Sequence, residues 1–215
     1  MACLFCFSGD PLGPDEAKGK YGSALGPYAT NPNKYDITMC QTPCKEPCCC
    51  LFSMACLCPI QIHMRHKALN HVEPGSGWKN YKCCQGMFGS CCCFKPGEMG
   101  ESTCPLPCMC LEAFCCVGPA ISATSGVIRH HYSLGLDEDD VRLIRCNNCL
   151  QIFAICLTCI SICTPCEADD LAANIVNIIA DVVFCSVGGC MTAQTYHEIK
   201  KREAMSAPVQ SQMGR

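Results

Sequence analysis

The sequence predicts a mainly α-helical, cysteine-rich bundle with long irregular loops, cross-linked by metal, by disulfides or by both. Cysteine accounts for 27 of the 215 residues, which is far more than the packing of a core requires. Aromatic residues make up only 7% of the chain, so large core side chains are scarce. Several segments have helical periodicity, whereas strand signals are weak throughout. Cross-links between helices are therefore expected to supply stability that a larger core would otherwise give.

Composition divides the chain into three parts. Residues 1–47 are predicted to form an extended arm, because most of this segment is rich in Gly, Pro, Asn and Lys. Residues 48–205 form the cysteine-rich helical domain, and residues 206–215 are predicted to be a disordered tail.

The predicted helices cover residues 48–71, 108–132, 138–163 and 167–204. Pro59 and Pro119 are expected to kink the first two, because proline lacks a backbone donor and clashes with the preceding turn. A Gly-rich loop over residues 73–103 separates those two helices. Acidic residues open the last two helices, where negative charge suits the positive end of the helix dipole.

The charge balance and the first residues indicate a cytoplasmic, non-secreted protein. A net charge of −3 excludes strong electrostatic attraction to nucleic acid. Residues 1–7 are apolar, but that stretch is too short for a signal peptide and lacks a basic region before it. Most thiols are then expected to stay reduced, and clustered cysteines to bind metal. No catalytic motif stands out, so the protein is not expected to be an enzyme.

Zinc is the predicted cofactor, because thiolate sulfur is a preferred zinc ligand. Cys104-Pro-Leu-Pro-Cys108 is a stiff turn leading into a helix, and Cys146-Asn-Asn-Cys149 is a C-x2-C pair. The best spacing is therefore that of Cys104, Cys108, Cys146 and Cys149. The full set of candidate ligands is Cys83, Cys84, Cys104, Cys108, Cys110, Cys146 and Cys149. Buried thiols that bind no metal remain the alternative, and a thiol-redox pair is a further one.

Adjacent and periodic cysteines place limits on these sites. Neighbours on an α-helix point about 100° apart, so the thiols of a cysteine doublet are expected to face different places. Cys156, Cys159, Cys163 and Cys166 recur at helical spacing and are predicted to face the core. Alternatively they form inter-helix disulfides or a metal site, with Cys185 and Cys190 as the opposite row.

The helices at 144–163 and 171–199 allow two interpretations. In a soluble bundle, Asn174, Asn177 and Asp181 form a polar stripe that faces water or a polar partner. The apolar side chains would then pack inward, with Ile175, Ile178, Ile179 and Val182 against Ile152, Ile155 and Ile162. In the alternative, residues 144–191 form a membrane hairpin whose polar stripe faces a partner helix. Acylation of Cys3 and Cys6 is a separate route to a membrane.

Several motifs carry a resemblance to known sequences. They are Tyr81-Lys82-Cys83-Cys84, Gly100-Glu101-Ser102 before Cys104-Pro105, Cys108-Met-Cys110, Cys115-Cys116 and Cys146-Asn-Asn-Cys149. From Tyr35 to about Glu203 the chain resembles an uncharacterised cysteine-rich family of plants, algae and protists. That resemblance implies no activity.

A second resemblance lies in Cys49-Cys50, followed after five residues by Cys56-Leu57-Cys58-Pro59. It is similar to the mark of the placenta-specific-eight family, a Cys-Cys pair, a four-residue gap and Cys-Pro-Cys. Both the gap and the order of residues differ here. The members of that family are small membrane-associated proteins linked to metal tolerance and growth control.

The sequence therefore predicts a non-enzymatic structural or interaction protein, stabilised by cysteine-bound zinc and acting through protein partners. The first alternative is a membrane-associated protein similar to the placenta-specific-eight family. The second is a thiol-redox protein.

Overall fold

The computed structural model describes residues 26–87, 89, 95–163 and 167–213, without the side chains of 167–169 and 207–213. It is 76% helical and has no strand among these residues, so the predicted mainly-α, cysteine-rich fold is confirmed. The α-helices are α1 Thr42–Lys45, α2 Pro47–Ala55, α3 Leu57–Val72, α4 Pro105–Cys115, α5 Val117–Tyr132, α6 Glu138–Cys163 and α7 Glu167–Met213.

Two predicted helices are each divided by one non-helical cysteine. Cys56 has φ −133° and ψ 56° between α2 and α3, and Cys116 has φ −136° and ψ 47° between α4 and α5. The sequence predicts kinks at Pro59 and Pro119, but the helices break three residues before each of these prolines. Each proline becomes the third residue of the following helix, where a backbone N–H has no intrahelical partner and its loss costs nothing.

The part of the predicted arm that the structure describes is packed into the domain. Ile37 and Met39 are buried. The backbone N–H of Met39 donates to Oδ1 of Asp140 over 2.9 Å, and Nε2 of Gln194 donates to the carbonyl of Ile37 over 2.8 Å. The prediction of an extended arm over residues 1–47 is therefore wrong for residues 26–47, because the buried side chains of Ile37 and Met39 anchor this polar segment. Residues 1–25, which include Cys3 and Cys6, lie outside the described residues.

Buried ion pairs join the helices of the domain. Arg65 of α3 contacts Glu112 of α4 at 2.8 Å, and both side chains are fully buried. The same guanidinium donates to the carbonyl of Ala120 in α5 over 2.9 Å. Arg129 of α5 lies 3.7 Å from Asp140 of α6. Because a buried charge without a partner is costly, these pairs fix the order in which the helices pack.

The helices α6 and α7 form an antiparallel hairpin that rises from the domain. Its base is packed, with Val141 and Asn147 of α6 and Met191 and Ile199 of α7 buried. Helix α7 continues to Met213, past residue 206, where the sequence predicted a disordered tail. The hairpin beyond its base carries most of the exposed aliphatic side chains described below.

Candidate functional site

Two adjacent cysteines and one glutamate form a compact cluster. Single ligand atoms of Cys83, Cys84 and Glu112 all lie within 4.8 Å of one another. Cys83 is half-buried, whereas Cys84 and Glu112 are buried. In the described part of the chain, no other group of three or more His, Cys, Asp or Glu residues meets this criterion.

The backbone at this doublet overturns the expectation that neighbouring thiols diverge. Residues 83–86 form a short 3₁₀ turn in which Cys84 has φ 46° and Gln85 has φ 50°. Left-handed conformations at residues other than glycine cost about 1–2 kcal/mol each. This turn directs both thiols to one place, which a right-handed helix would not allow. Strain of this kind often marks a functional position.

Glu112 is held by three donors from three parts of the chain. Its Oε1 accepts from Arg65 over 2.8 Å. Its Oε2 accepts from the hydroxyl of Tyr81 over 2.9 Å and from the backbone N–H of Cys84 over 2.8 Å. These three donors fix the carboxylate in place, and the guanidinium of Arg65 lies beside it as a counter-charge.

The pKa values of the two thiols shift in opposite directions. The hydrogen bond with Cys84 lowers the pKa of Cys83, although burial and the charge of Glu112 oppose this shift. The same hydrogen bond raises the pKa of Cys84 far above its ordinary value, and burial adds to the rise. Cys83 is thus the first thiol to ionise, while Cys84 keeps its proton and donates it to the neighbouring sulfur.

A second buried carboxylate fixes the loop that carries the cluster. Glu101 accepts from the backbone N–H groups of Cys83 over 3.0 Å, Gly97 over 2.8 Å and Met99 over 2.8 Å. Burial alone would raise the pKa of Glu101, but these donors together hold it below its ordinary value. Because one of the donors is the amide of Cys83, Glu101 ties the loop at residues 95–101 to the thiol cluster.

The other predicted ligands are distributed around this cluster. Burial is the main cause that raises the pKa of Cys108, and the charges of Glu101, Cys104 and Cys83 add to it. Cys104 is exposed and Cys108 is half-buried, and neither belongs to the compact cluster. Cys110 is a half-buried free thiol on the same helix, and Cys146 is a half-buried free thiol on α6. Cys149 is disulfide-bonded, so it does not complete a C-x2-C metal pair with Cys146 in this state.

Glu112 lies outside the cysteine and histidine patterns that predict a metal site from the sequence. Its signal in the sequence is a lone acidic residue in Leu111-Glu112-Ala113-Phe114, within an otherwise apolar helix. A charge in such a helix needs a buried partner, and Arg65 provides one.

The second candidate site is the apolar surface of the hairpin. Both helices are long and apolar enough to cross a bilayer by length and composition. Their most apolar 18-residue stretches have mean hydropathies of 1.7 and 1.8, with only 11% and 17% of the residues buried. A core helix of a soluble protein would be mostly buried. The exposed side chains include Ile152, Phe153, Ile155, Ile162, Leu171, Ile175, Ile178, Ile179 and Val182.

Small residues and polar bonds hold the two helices together. Ala154 of α6 and Ala173 and Ala180 of α7 are buried. Nε2 of Gln151 donates to the carbonyl of Ala180 over 2.8 Å, and Nδ2 of Asn177 donates to Oγ1 of Thr158 over 3.0 Å. Ser161 also bonds to Asp170. Small interfacial residues and hydrogen bonds between helices are typical of helix packing in membranes.

The predicted inward packing of the isoleucines is therefore wrong. Ile178 is 64% exposed and Ile162 is 79% exposed, because alanines rather than branched side chains occupy the contact between the helices. The cysteines at 156, 159 and 163 are likewise exposed rather than facing the core, and Cys166 lies outside the described residues. Of the polar stripe, Asn177 meets the partner helix, whereas Asn174 and Asp181 are exposed.

Comparison with family models, curated proteins and solved structures finds no match to this chain. The evidence for its function therefore lies in the two sites themselves.

Proposed function

We propose that this chain is a membrane-associated protein that the α6–α7 hairpin anchors in the bilayer. The observation that carries the proposal is the exposure of aliphatic side chains along both helices, while alanines are buried between them. In water, such a surface would leave a large apolar area exposed. In a bilayer it faces hydrocarbon, and the polar groups between the helices are satisfied by each other.

The dimensions of the hairpin suit this role. An 18-residue helical stretch is about 27 Å long, against about 30 Å for the hydrocarbon core of a bilayer. Asp181 opposes insertion, since an aspartate at the centre of a span costs about 2.5–3.5 kcal/mol. The neighbouring isoleucines and valines offset this cost, each by about 0.3–0.6 kcal/mol.

The distribution of charge supports an orientation. Between Arg145 and Lys200 the sequence has no lysine or arginine, whereas acidic residues lie at the turn between the helices. Loops rich in lysine and arginine remain on the cytoplasmic side. The domain and its basic residues therefore belong on the cytoplasmic side, with the acidic tip of the hairpin on the opposite side of the bilayer.

Lysine substitutions on the exposed face test the anchor. Ile155→Lys and Ile178→Lys each change a side chain that is more than half exposed, so in a soluble protein either costs no more than about 0.5 kcal/mol. In a bilayer, a lysine near the centre of the span costs about 2.5–3.5 kcal/mol. We expect the double variant to move from the membrane fraction to the soluble fraction of lysed cells.

Met205→Lys is the matched control, because Met205 is 59% exposed on α7 but lies beyond the apolar stretch, among basic residues. This variant should remain with the membranes. The proposed anchor would be refuted if all three proteins, the wild-type chain, the double variant and the control, showed the same proportions in the membrane and soluble fractions.

We propose as a second function that the Cys83–Cys84–Glu112 cluster binds zinc. The charge balance supports this: two thiolates add a charge of −2, Arg65 already offsets Glu112, and a divalent ion then makes the cluster neutral. Zinc favours four ligands, so Cys83, Cys84 and Glu112 would supply three of them and a neutral water molecule would complete the set. Binding would replace the proton that the two thiols share, so zinc affinity should fall as the pH is lowered.

Elemental analysis of the purified protein tests the zinc site. We expect bound zinc in the wild-type chain and its loss in Cys83→Ser and in Cys84→Ser. Cys40→Ser is the control, since Cys40 is an exposed free thiol on another element. A folded, metal-free wild-type protein would exclude the site, and loss of zinc in all three variants would place the metal elsewhere.

A further inference from the structure

A second cluster of sulfur atoms lies where α2 crosses α7. The Sγ of Cys50 is 3.8 Å from the Sγ of Cys190 and 3.9 Å from the Sδ of Met54. Cys50 is buried, and Cys190 and Met54 are half-buried. From this geometry we infer a binding site for a soft monovalent metal ion, Cu(I), with Cys50, Met54 and Cys190 as its three ligands.

The two separations from the Sγ of Cys50 match those between sulfur atoms that bind one metal ion. Ligands at a metal–sulfur distance of about 2.3 Å stand about 3.8 Å apart in tetrahedral and about 4.0 Å apart in trigonal geometry. Both measured separations lie close to these values. These two distances allow the thiol of Cys50 to share one ion with each of the other two sulfur atoms.

The choice of ion follows from the ligands. Thiolate and thioether sulfurs select Cu(I), whereas zinc in proteins is bound by thiolate, imidazole and carboxylate. A thioether at hydrogen-bond distance from one of two neighbouring thiols is therefore a signature of a soft, monovalent ion. Each thiol that binds the ion releases its proton, and the resulting negative charge favours a cation.

The fold builds this cluster through a close approach of two helices. A Cβ at Gly189 would lie 2.5 Å from Cγ of Met54 and 3.2 Å from the carbonyl of Cys50. Only glycine lets α2 come this near to α7. Cys190 directly follows Gly189 in the sequence, so the close approach of the helices also fixes the position of the Cys190 thiol. Cys50 and Met54 are one helical turn apart and so lie on one face of α2.

The site is distinct from the proposed zinc cluster and does not depend on the proposed anchor. Its test uses the full chain purified in detergent, stripped of metal and kept anaerobic with a non-thiol reductant. Cu(I) is supplied as its complex with the chelator bathocuproine disulfonate, and transfer to the protein is followed by the absorbance of that complex. We expect the first equivalent to bind at least about tenfold more weakly in Cys190→Ser and in Met54→Leu.

Matched variants separate this site from the other thiols. Cys185→Ser removes a half-buried thiol on the same helix, Cys156→Ser removes an exposed thiol on α6, and Met99→Leu removes an exposed thioether. The affinity for the first equivalent should be unchanged in all three. Helicity, measured alongside, should be unchanged in Met54→Leu, because this substitution nearly conserves volume.

X-ray absorption at the copper edge gives the ligand count directly. The wild-type chain with one equivalent of Cu(I) should show three sulfur atoms at about 2.3 Å, and Met54→Leu should show two. Unchanged affinity in Met54→Leu or Cys190→Ser would overturn the inference. Loss of the first equivalent in Cys156→Ser, or in Cys185→Ser, would also overturn it by placing the ion on other thiols.

Discussion

At the scale of single residues, the thiol cluster depends on the backbone of Cys84. Its left-handed conformation brings two adjacent sulfur atoms together beside a carboxylate that is already neutralised by Arg65. Three long-range bonds hold Glu112 in this position, and one of them ends on the amide of Cys84. The cluster and the buried ion pair are therefore one unit, and disturbing either should disturb both.

Glu112→Gln tests this unit. The substitution conserves the shape of the side chain but leaves the guanidinium of Arg65 buried without a counter-charge. Loss of one partner of a buried pair costs about 3–5 kcal/mol, so the midpoint of denaturant unfolding should fall sharply. Zinc content should fall with it.

Glu138→Gln is the matched control for that variant. Glu138 lies 3.6 Å from Arg142, but both side chains are at least half exposed. Exposed pairs contribute little, so this change should stay within about 0.5 kcal/mol. Equal effects of the two variants would show that burial of the Arg65–Glu112 pair is not what stabilises the domain.

At the scale of helices, the contact between α6 and α7 is made by alanines. Ala173 is 4% exposed against the partner helix, whereas the adjacent Ala172 is exposed. The two positions therefore have the same residue type in opposite environments. This allows one substitution to separate helix contact from helix propensity.

Ala173→Leu should force the helices apart. Overpacking of a close contact costs about 1–3 kcal/mol, so the variant should unfold at a lower temperature in detergent. Ala172→Leu, which adds the same side chain on the exposed face, should change the transition little. A larger effect at residue 172 than at residue 173 would contradict the packing described for the hairpin.

Helix type and extent could be predicted from the sequence in large part, but breaks and contacts could not. The acidic residues that open α6 and α7 marked their starts correctly. The breaks at Cys56 and Cys116 were placed at the following prolines, because a proline tolerated in the first turn looks the same as one that kinks a helix. The convergence of Cys83 and Cys84 depends on a positive φ, and Glu112 is fixed by partners distant in sequence.

At the scale of the whole molecule, a domain that buries charged pairs is continuous with a hairpin that exposes apolar side chains. The domain around α3, α4 and α5 buries two arginines, each beside a buried carboxylate. The hairpin instead exposes isoleucines and buries alanines. Apolar residues also remain exposed on the short helices, with Phe52 on α2 and Phe114 on α4. A protein whose domain lies at a membrane surface, with its hairpin inserted, accounts for both halves.

Carbonate extraction tests this central claim most directly. The full chain is expressed with Cys3→Ser and Cys6→Ser, so that acylation at these two positions is excluded, and membranes are washed at high salt and then at alkaline pH. An inserted hairpin is held by apolar contact with lipid and should stay in the pellet through both washes. Recovery of the chain in the supernatant, as a folded and soluble protein, would contradict the account.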